Sequence, residues 1–325
     1  MNSRINLLRL MSDGKFHSGE ELGRMLSISR TAVWKMIRSF QRYGLDVYSI
    51  KGKGHRLSRP IEFLEKDHLL SCIDPEASGL IHSITIHTEI DSTNQYLLEK
   101  SDSPEFHGHI TLAEFQSSGR GRRGNTWISP FGTGICLSVG WHYDPAPDPL
   151  TVISLAAGVA VIRALKEFNI NDAGLKWPND VFWRGRKLGG TLLEIRCESA
   201  GPCNIVLGVG INFSFPKSEM EMIDQPWIDI AGIKQPLPSR NAFTATLISE
   251  IVRILAGFNE KTTPGILEEW RQYDCVKGQQ VTLLLPEQSV TGMSLGIDDN
   301  GSLLMSINGK VRRFGSGEIS LRVQH

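Results

Sequence analysis

Long apolar runs are missing from this sequence. The longest uncharged apolar stretch spans 13 residues, 150–162, and ends at Arg163, whereas a membrane span needs about 20. The opening MNSRINLLRL carries scattered charge and no signal-peptide apolar block, so export is not expected and the cytoplasm is the expected compartment. Cysteine is sparse. Cys72, Cys136, Cys197, Cys203 and Cys275 form no CxxC pair, and their odd number argues against a disulfide scaffold or a structural zinc site. HExxH, GxSxG, GxxxxGK[ST] and clustered Cys/His are also absent, which leaves zinc hydrolysis, serine-triad chemistry and a P-loop without support and assigns no metal ligands. What is present suits a folded chain: 40% hydrophobic residues can bury a core, and 325 residues point to two or three domains.

Net charge is zero, but its distribution is uneven. Residues 1–60 hold 12 Lys and Arg against 4 Asp and Glu, and the rest of the chain carries the opposite excess. A basic segment joined to an acidic body suggests different partners for the two parts, the first a polyanion. Ser18 followed by Glu21 makes a capping box for a helix running to about Ser27. Ser29 caps a second helix, RTAVWKMIRSFQRYG, in which Val33, Met36, Ile37 and Phe40 form one buried stripe and Gly44 ends the run. Arg30, Thr31, Trp34, Lys35 and Arg38 are left to face outward. The following LDVYSIKGKGHRLS alternates around a Gly-Lys-Gly turn, as a two-stranded wing carrying Lys51 and Lys53 would. Helix, turn, cationic helix and basic hairpin resemble a winged helix-turn-helix, with the helix suited to the major groove and the hairpin to phosphates. A three-helix interaction module with a cationic face is the alternative.

After a linker near Arg59-Pro60, the body alternates strands and helices. Strands are expected at 82–90, 110–116, 134–141, 181–183, 191–196 and 204–211. Helices are expected after Asp91-Ser92-Thr93-Asn94 and at 150–168, 242–259 and 265–272. This is an α/β body of about 200 residues, large enough to own a core. The last fifty residues read as short strands at 281–285, 290–297, 303–307 and 311–314, separated by Asp-Asn-Gly and Asn-Gly turns, which suggests a small β-barrel.

Four segments could carry chemistry. Gly119-Arg120-Gly121-Arg122-Arg123-Gly124, with Asn125-Thr126-Trp127 after it, combines glycines that admit a ligand to the backbone with guanidinium forks for carboxylate or phosphate. Such a loop repels itself and is expected to be mobile without an anion; an exposed charged loop or a nucleic-acid contact is the plainer reading. Lys176-Trp177-Pro178-Asn179-Asp180 precedes Arg186-Lys187-Leu188-Gly189-Gly190, where a lysine stands beside a backbone that a ligand can approach. Singly, Trp177 reads as core, Asp180 as a cap and Lys187 as a solvated charge. Asp91-Ser92-Thr93-Asn94 offers hydroxyls at a helix start, or a plain N-cap. Gly208-Val209-Gly210-Ile211-Asn212 alone is a weak GxG.

Together, GRGRRGNTWISPFG, KWPNDV, RKLGG, GVGINF and the closing GEISLR resemble, in order, the signatures of the bifunctional biotin–protein ligases that also repress the biotin operon. The sequence departs from that family's more basic stretch at Asn125-Thr126 and places His55 in the wing. The resemblance covers essentially the whole chain. It implies a multidomain α+β protein: a winged helix-turn-helix at 1–62, a class II synthetase-like ligase domain with a mixed sheet at 66–272, and an SH3-like barrel at 273–325. It implies two reactions, formation of biotinyl-5′-adenylate from biotin and ATP, then transfer to a lysine of the biotin carboxyl carrier protein. Carried over by position, Ser92, Thr93, Asn94 and Gln116 hold the ureido head of biotin, and Gly119 and Gly190 allow its approach. Arg120 and Arg122 close over the carboxylate and adenylate phosphate, and Lys187 stabilises developing charge. Trp127 stacks on adenine, while Arg123, Lys176, Asn179, Asp180 and Asn212 help hold the nucleotide and its Mg2+. The same resemblance implies operator contacts by Ser29, Arg30, Thr31, Trp34, Lys35, Arg38, Lys51 and Lys53, and a homodimer promoted by biotinyl-5′-adenylate as corepressor. A lipoate or octanoate transferase, or a biotin sensor that binds DNA without ligating, are the competing readings; the arginine loop and the terminal barrel argue against the first, and Lys187 with the arginines against the second.

Overall fold

The computed structural model describes residues 3–197, 201–215, 225–285, 288–315 and 320–323. The basic end contains helix α1 (Ser3–Met11), α2 (Gly19–Leu26) and α3 (Arg30–Arg38), followed by strands β1 (Val47–Ile50) and β2 (Gly54–Leu57). Both helix starts follow the sequence pattern: Ser18 Oγ accepts from the Glu21 N–H at 3.0 Å and Ser29 Oγ from the Ala32 N–H at 3.1 Å. Helix α3 is shorter than expected. It tightens into a 3-10 turn over Ser39–Tyr43 and stops at Gly44, whose φ of +67° suits glycine. Val33, Ile37 and Phe40 are buried as the stripe requires, with Leu7, Leu8 and Met11 of α1 behind them, while Met36 is only half-buried. A bridge between His17 and His55 adds a third strand position to the wing.

The linker is not a free spacer. Ile61 and Phe63 pack into the same apolar cluster together with Phe131 of the body, so the winged unit and the body share side chains.

The body opens with short helices α4 (Lys66–Cys72) and α5 (Pro75–Ser78), then β3 (Ser83–His87), α6 (Thr93–Glu99), β4 (His109–Ala113), β5 (Gly134–Tyr143), α7 (Val152–Glu167), β6 (Ala173–Lys176), β7 (Asp180–Trp183), β8 (Arg186–Cys197) and β9 (Cys203–Asn212). Helices α8 (Ile230–Ile233), α9 (Arg240–Gly257) and α10 (Thr263–Gln272) complete it. The strands form one seven-stranded sheet in the order β3-β4-β5-β9-β8-β7-β6. Only β3 and β4 pair in parallel, so the sheet is mixed. Along β9 the alternation of side chains divides the two faces: Ile205, Leu207 and Val209 join the main core under α7 and α9, whereas Val206 packs with Leu97 and Leu98 of α6. Helix α7 is apolar nearly all round and accordingly lies deep in the main core.

The last segment contributes β10 (Gln280–Leu284), β11 (Ser289–Ile297), β12 (Leu303–Ile307), β13 (Lys310–Phe314) and β14 (Ser320–Val323), all antiparallel in the order β13-β12-β11-β10-β14. Asn308-Gly309 turns β12 into β13 with φ values of +51° and +76°, the signature of a two-residue hairpin. Val281, Leu283, Leu303, Met305 and Leu321 merge with the core of the body. Of the closing GEISLR, residues 317–319 lie outside the described residues, and the remainder is β14.

One cysteine pair is present that the sequence reading did not name, and it does not amount to a disulfide scaffold. Cys197 and Cys203 are opposite residues at the turn end of the β8–β9 hairpin and form a disulfide, their Cα atoms 4.2 Å apart. Cysteine spacing does not reveal this pair, because hairpin register brings them face to face. Among the described residues, no helix is long and apolar enough to cross a membrane.

Candidate active site

The four motifs converge. They line one cavity of about 430 Å³ at the ends of the central strands, with α6 on one side and the arginine loop above. Its floor is built at the start of α6. Ser92 caps the helix through Oγ, as the plain reading required, and the next two residues turn inward. The Thr93 N–H and hydroxyl both donate to Gln116 Oε1, at 2.8 and 3.1 Å. Asn94 Oδ1 accepts from the buried Ser138 hydroxyl at 2.6 Å, and its amide donates to Glu194 Oε2 at 2.9 Å. Ser92, Thr93 and Asn94 are all nearly inaccessible, and their polar groups find partners in Gln95, Gln116, Ser138 and Glu194. Gly208 is required here: a Cβ would lie 2.9 Å from Asn94 Cγ.

Opposite, a bulge in the β7–β8 pairing decides where the lysine points. Asp180 pairs with Gly190 and Val181 with Gly189, but Phe182 pairs with Lys187, so one residue is inserted and Lys187 turns onto the face of Asp180 and Gly190. Its ammonium lies 2.7 Å from Asp180 Oδ1, and the Lys176 ammonium lies 4.0 Å from Oδ2. Burial holds the Lys176 pKa below the usual lysine range, against the opposing pull of Asp180. Asn179 donates to the Thr191 carbonyl at 2.6 Å and presents Oδ1 to Arg122 Nη1 at 3.3 Å. Asn212 is buried, and its amide donates to the carbonyls of Lys187 and Ile228, at 3.3 and 3.0 Å, which anchors the strand bearing the lysine. Trp177 is core, as its plain reading held; its indole donates to the Gly301 carbonyl at 3.0 Å and ties the C-terminal sheet to the site.

The arginine loop is a tight hairpin. Gly121 N–H donates to Asn125 O at 2.7 Å and Trp127 N–H to Gly119 O at 2.9 Å, with positive φ at Arg123 and Gly124 making the turn. Arg122 reaches into the cavity, where burial lowers its pKa. Arg120 reaches sideways instead, to Gln95 and Glu194. Trp127 lies against β9: a Cβ on Gly210 would stand 2.5 Å from its Cζ2. Gly119 abuts Gln116, and Gly190 faces Asp180 and Lys187.

Some residues at the site escaped the sequence reading. Trp227, from the stretch that bridges to Lys187, and Arg322 of β14 line the cavity; Gln95 and Glu194, in ordinary-looking helix and strand segments, stand behind the lining as partners of Arg120. On the winged unit, Arg30, Thr31, Trp34, Lys35, Arg38, Lys51 and Lys53 are exposed, and Arg38 stacks on Trp34 at 4.8 Å.

Residues 87–212 match the Biotin/lipoate A/B protein ligase family, residues 4–56 an HTH domain, and residues 277–322 the Biotin protein ligase C terminal domain. The bifunctional ligase/repressor BirA of Salmonella typhimurium is 36% identical over 320 residues, covering 98% of this chain and 97% of that protein. The chain belongs to the bifunctional biotin ligase/repressor family. BirA of Escherichia coli matches this family member equally well, at 36% over the same coverage. The biotin–[acetyl-CoA-carboxylase] ligase of Mycobacterium tuberculosis is 32% identical over 73% of the chain. The biotin protein ligase of Aquifex aeolicus, solved with biotin and ATP, superposes with a TM-score of 0.63 at 25% identity, covering 74% of this chain and 99% of that one.

Proposed function

We propose that this chain is an ATP-dependent biotin protein ligase that also represses biotin-synthesis genes in response to biotin. The observation that carries the ligase reading is the meeting of Arg122, Lys176 and Lys187 over a polar floor of Thr93, Asn94 and Gln116 in one cavity. Mixed donors and acceptors suit the ureido head of biotin, which Ser92, Thr93, Asn94 and Gln116 would hold, with Gly119 and Gly190 giving access. In the first step a biotin carboxylate oxygen attacks the α-phosphorus of ATP and pyrophosphate leaves. In the second, a carrier lysine amine attacks the acyl carbon of the mixed anhydride, loses a proton and expels AMP. Neither step uses a protein nucleophile, so fixed cations and positioning supply the acceleration. Lys187 meets the charge that develops at the carboxylate and phosphoryl oxygens, and Arg122 is the fork over them. Arg120 lines the same cavity with its guanidinium engaged by protein partners.

The nucleotide falls to Arg123, Lys176, Asn179, Asp180 and Asn212, with Trp127 against adenine. Mg2+ fits this site as a phosphate-borne ion, because Asp180 and Asn179 are the nearby oxygen donors and Mg2+ commonly uses one or two carboxylates together with phosphates. It would neutralise phosphate charge.

The division at 1–62, 66–272 and 273–325 agrees with this reading, with a class II synthetase-like middle and an SH3-like barrel at the end. Operator DNA would take Arg30, Thr31, Trp34, Lys35 and Arg38 in the major groove, with Ser29 capping that helix, and Lys51 and Lys53 on phosphates. Biotinyl-5′-adenylate would be the corepressor, promoting a two-fold homodimer in the cytoplasm that competes with the carrier protein of acetyl-CoA carboxylase. Incubation with ATP, radiolabelled biotin and a biotin carboxyl carrier domain should put label into the carrier; absence of label, or transfer of lipoate instead, overturns the ligase reading. Sedimentation equilibrium with and without biotin and ATP tests the repressor state, and an association constant indifferent to both overturns it.

A further inference from the structure

The two arginines that flank Gly121 have different surroundings. Arg122 is drawn into the cavity. Arg120 donates from Nη1 to Gln95 Oε1 at 2.8 Å and from Nη2 to Glu194 Oε1 at 2.7 Å. Both partners are fixed. Gln95 belongs to α6, the helix whose start makes the floor. Glu194 stands on the face of β8 that Gly190 and Leu192 present to the cavity, and its second oxygen accepts from the buried Asn94 amide. Arg120 also marks the base of the loop hairpin, where it bridges Thr126.

We propose that Arg120 and Glu194 form a latch that pins the arginine loop to α6 and β8, making Arg120 and Glu194 positioning residues that govern how long the adenylate is retained. The inference rests on the ligase reading above. A carboxylate of the protein already occupies the fork of Arg120, so this guanidinium has a partner whether or not a ligand anion is present, and closing the base of the hairpin keeps Arg122 and Trp127 over the cavity. The pair is charge-assisted, with Arg120 exposed and Glu194 the more sheltered member. Its coupling to Asn94 also ties closure to the floor: a head group that engages Asn94 bears directly on the residue that orients Glu194.

A charge exchange separates a latch from a ligand contact. The full chain is loaded with radiolabelled biotin and ATP in the presence of pyrophosphatase, and release of labelled adenylate is followed after an unlabelled chase. Arg120→Glu and Glu194→Arg should each shorten retention by about tenfold, the scale of one lost charge-assisted hydrogen bond. The double variant R120E/E194R should restore retention to within about threefold of the parent, because the pair is re-formed with its charges reversed. Glu194→Gln, which keeps the shape and the bond from Asn94, should leak to an intermediate degree and covers the case in which Glu194→Arg fails to fold. Parental retention in Glu194→Gln, or a double variant as leaky as Arg120→Glu, overturns the latch while leaving the ligase reading intact. Failure of the parent chain to form labelled adenylate overturns both.

Discussion

The Lys187 ammonium and the Asp180 carboxylate stand 2.7 Å apart across a β-bulge, and the same carboxylate faces Lys176 at 4.0 Å. One anion therefore neutralises two cations in a cavity that is otherwise rich in donors. An incoming phosphate finds both ammonium groups converged and only partly satisfied. That arrangement is preorganised for charge that appears during reaction.

Lys187→Ala should slow adenylate formation far more than it weakens biotin binding if, as proposed, the lysine meets the charge that develops. One preorganised donor commonly supplies about 2.7–4 kcal/mol of the barrier. Pyrophosphate release measured at saturating biotin checks this, and a parental rate would remove Lys187 from the chemistry.

Arg122→Gly should give a leaky enzyme. Arg122 is the loop arginine that enters the cavity, and its loss frees the adenylate to acylate lysines at large. Mass spectrometry of a mixed-protein reaction should find label on bystander proteins; label confined to the carrier domain would contradict the role.

Gly210→Ala should spoil the site without unfolding the chain. Its Cβ would lie 2.5 Å from Trp127 Cζ2, and the loop-borne indole can move where the β5–β9–β8 ladder cannot. A displacement of about 1 Å at a positioning group can cost about a hundredfold in rate. Ligation assays paired with thermal melts should show lost activity at a near-parental Tm.

Glu114→Gln should destabilise the fold. Glu114 and Arg240 are both almost fully buried, 2.6 Å apart, and Glu114 also accepts from the Leu64 N–H of the linker at 2.7 Å. Breaking a buried pair by neutralising one partner typically costs about 3–5 kcal/mol, since the other charge stays buried. Urea unfolding of the two proteins measures the difference, and an unchanged midpoint would mean that Arg240 finds another acceptor.

Local physics made much of this legible. Caps at Ser18, Ser29 and Ser92 start helices where the sequence places them, because a serine hydroxyl satisfies a helix N–H within three residues of itself. Period-two and helical patterns located β5, β9, α7, α9 and β12 to within a few residues. Short or pattern-poor elements were lost: α4, α5, β6 and β14 draw their stability from what they pack against.

The site divides along the same line. Its glycines, arginines and lysines announce themselves as motifs, since backbone access and charge are properties of residue type alone. Register and topology decided the rest. A one-residue bulge turned Lys187 towards Asp180, hairpin pairing joined Cys197 to Cys203, and strand order brought Glu194 to Arg120 from 74 residues away. None of these is a local preference: each depends on which strand lies beside which, and that is set by burial of the whole sheet between its helices.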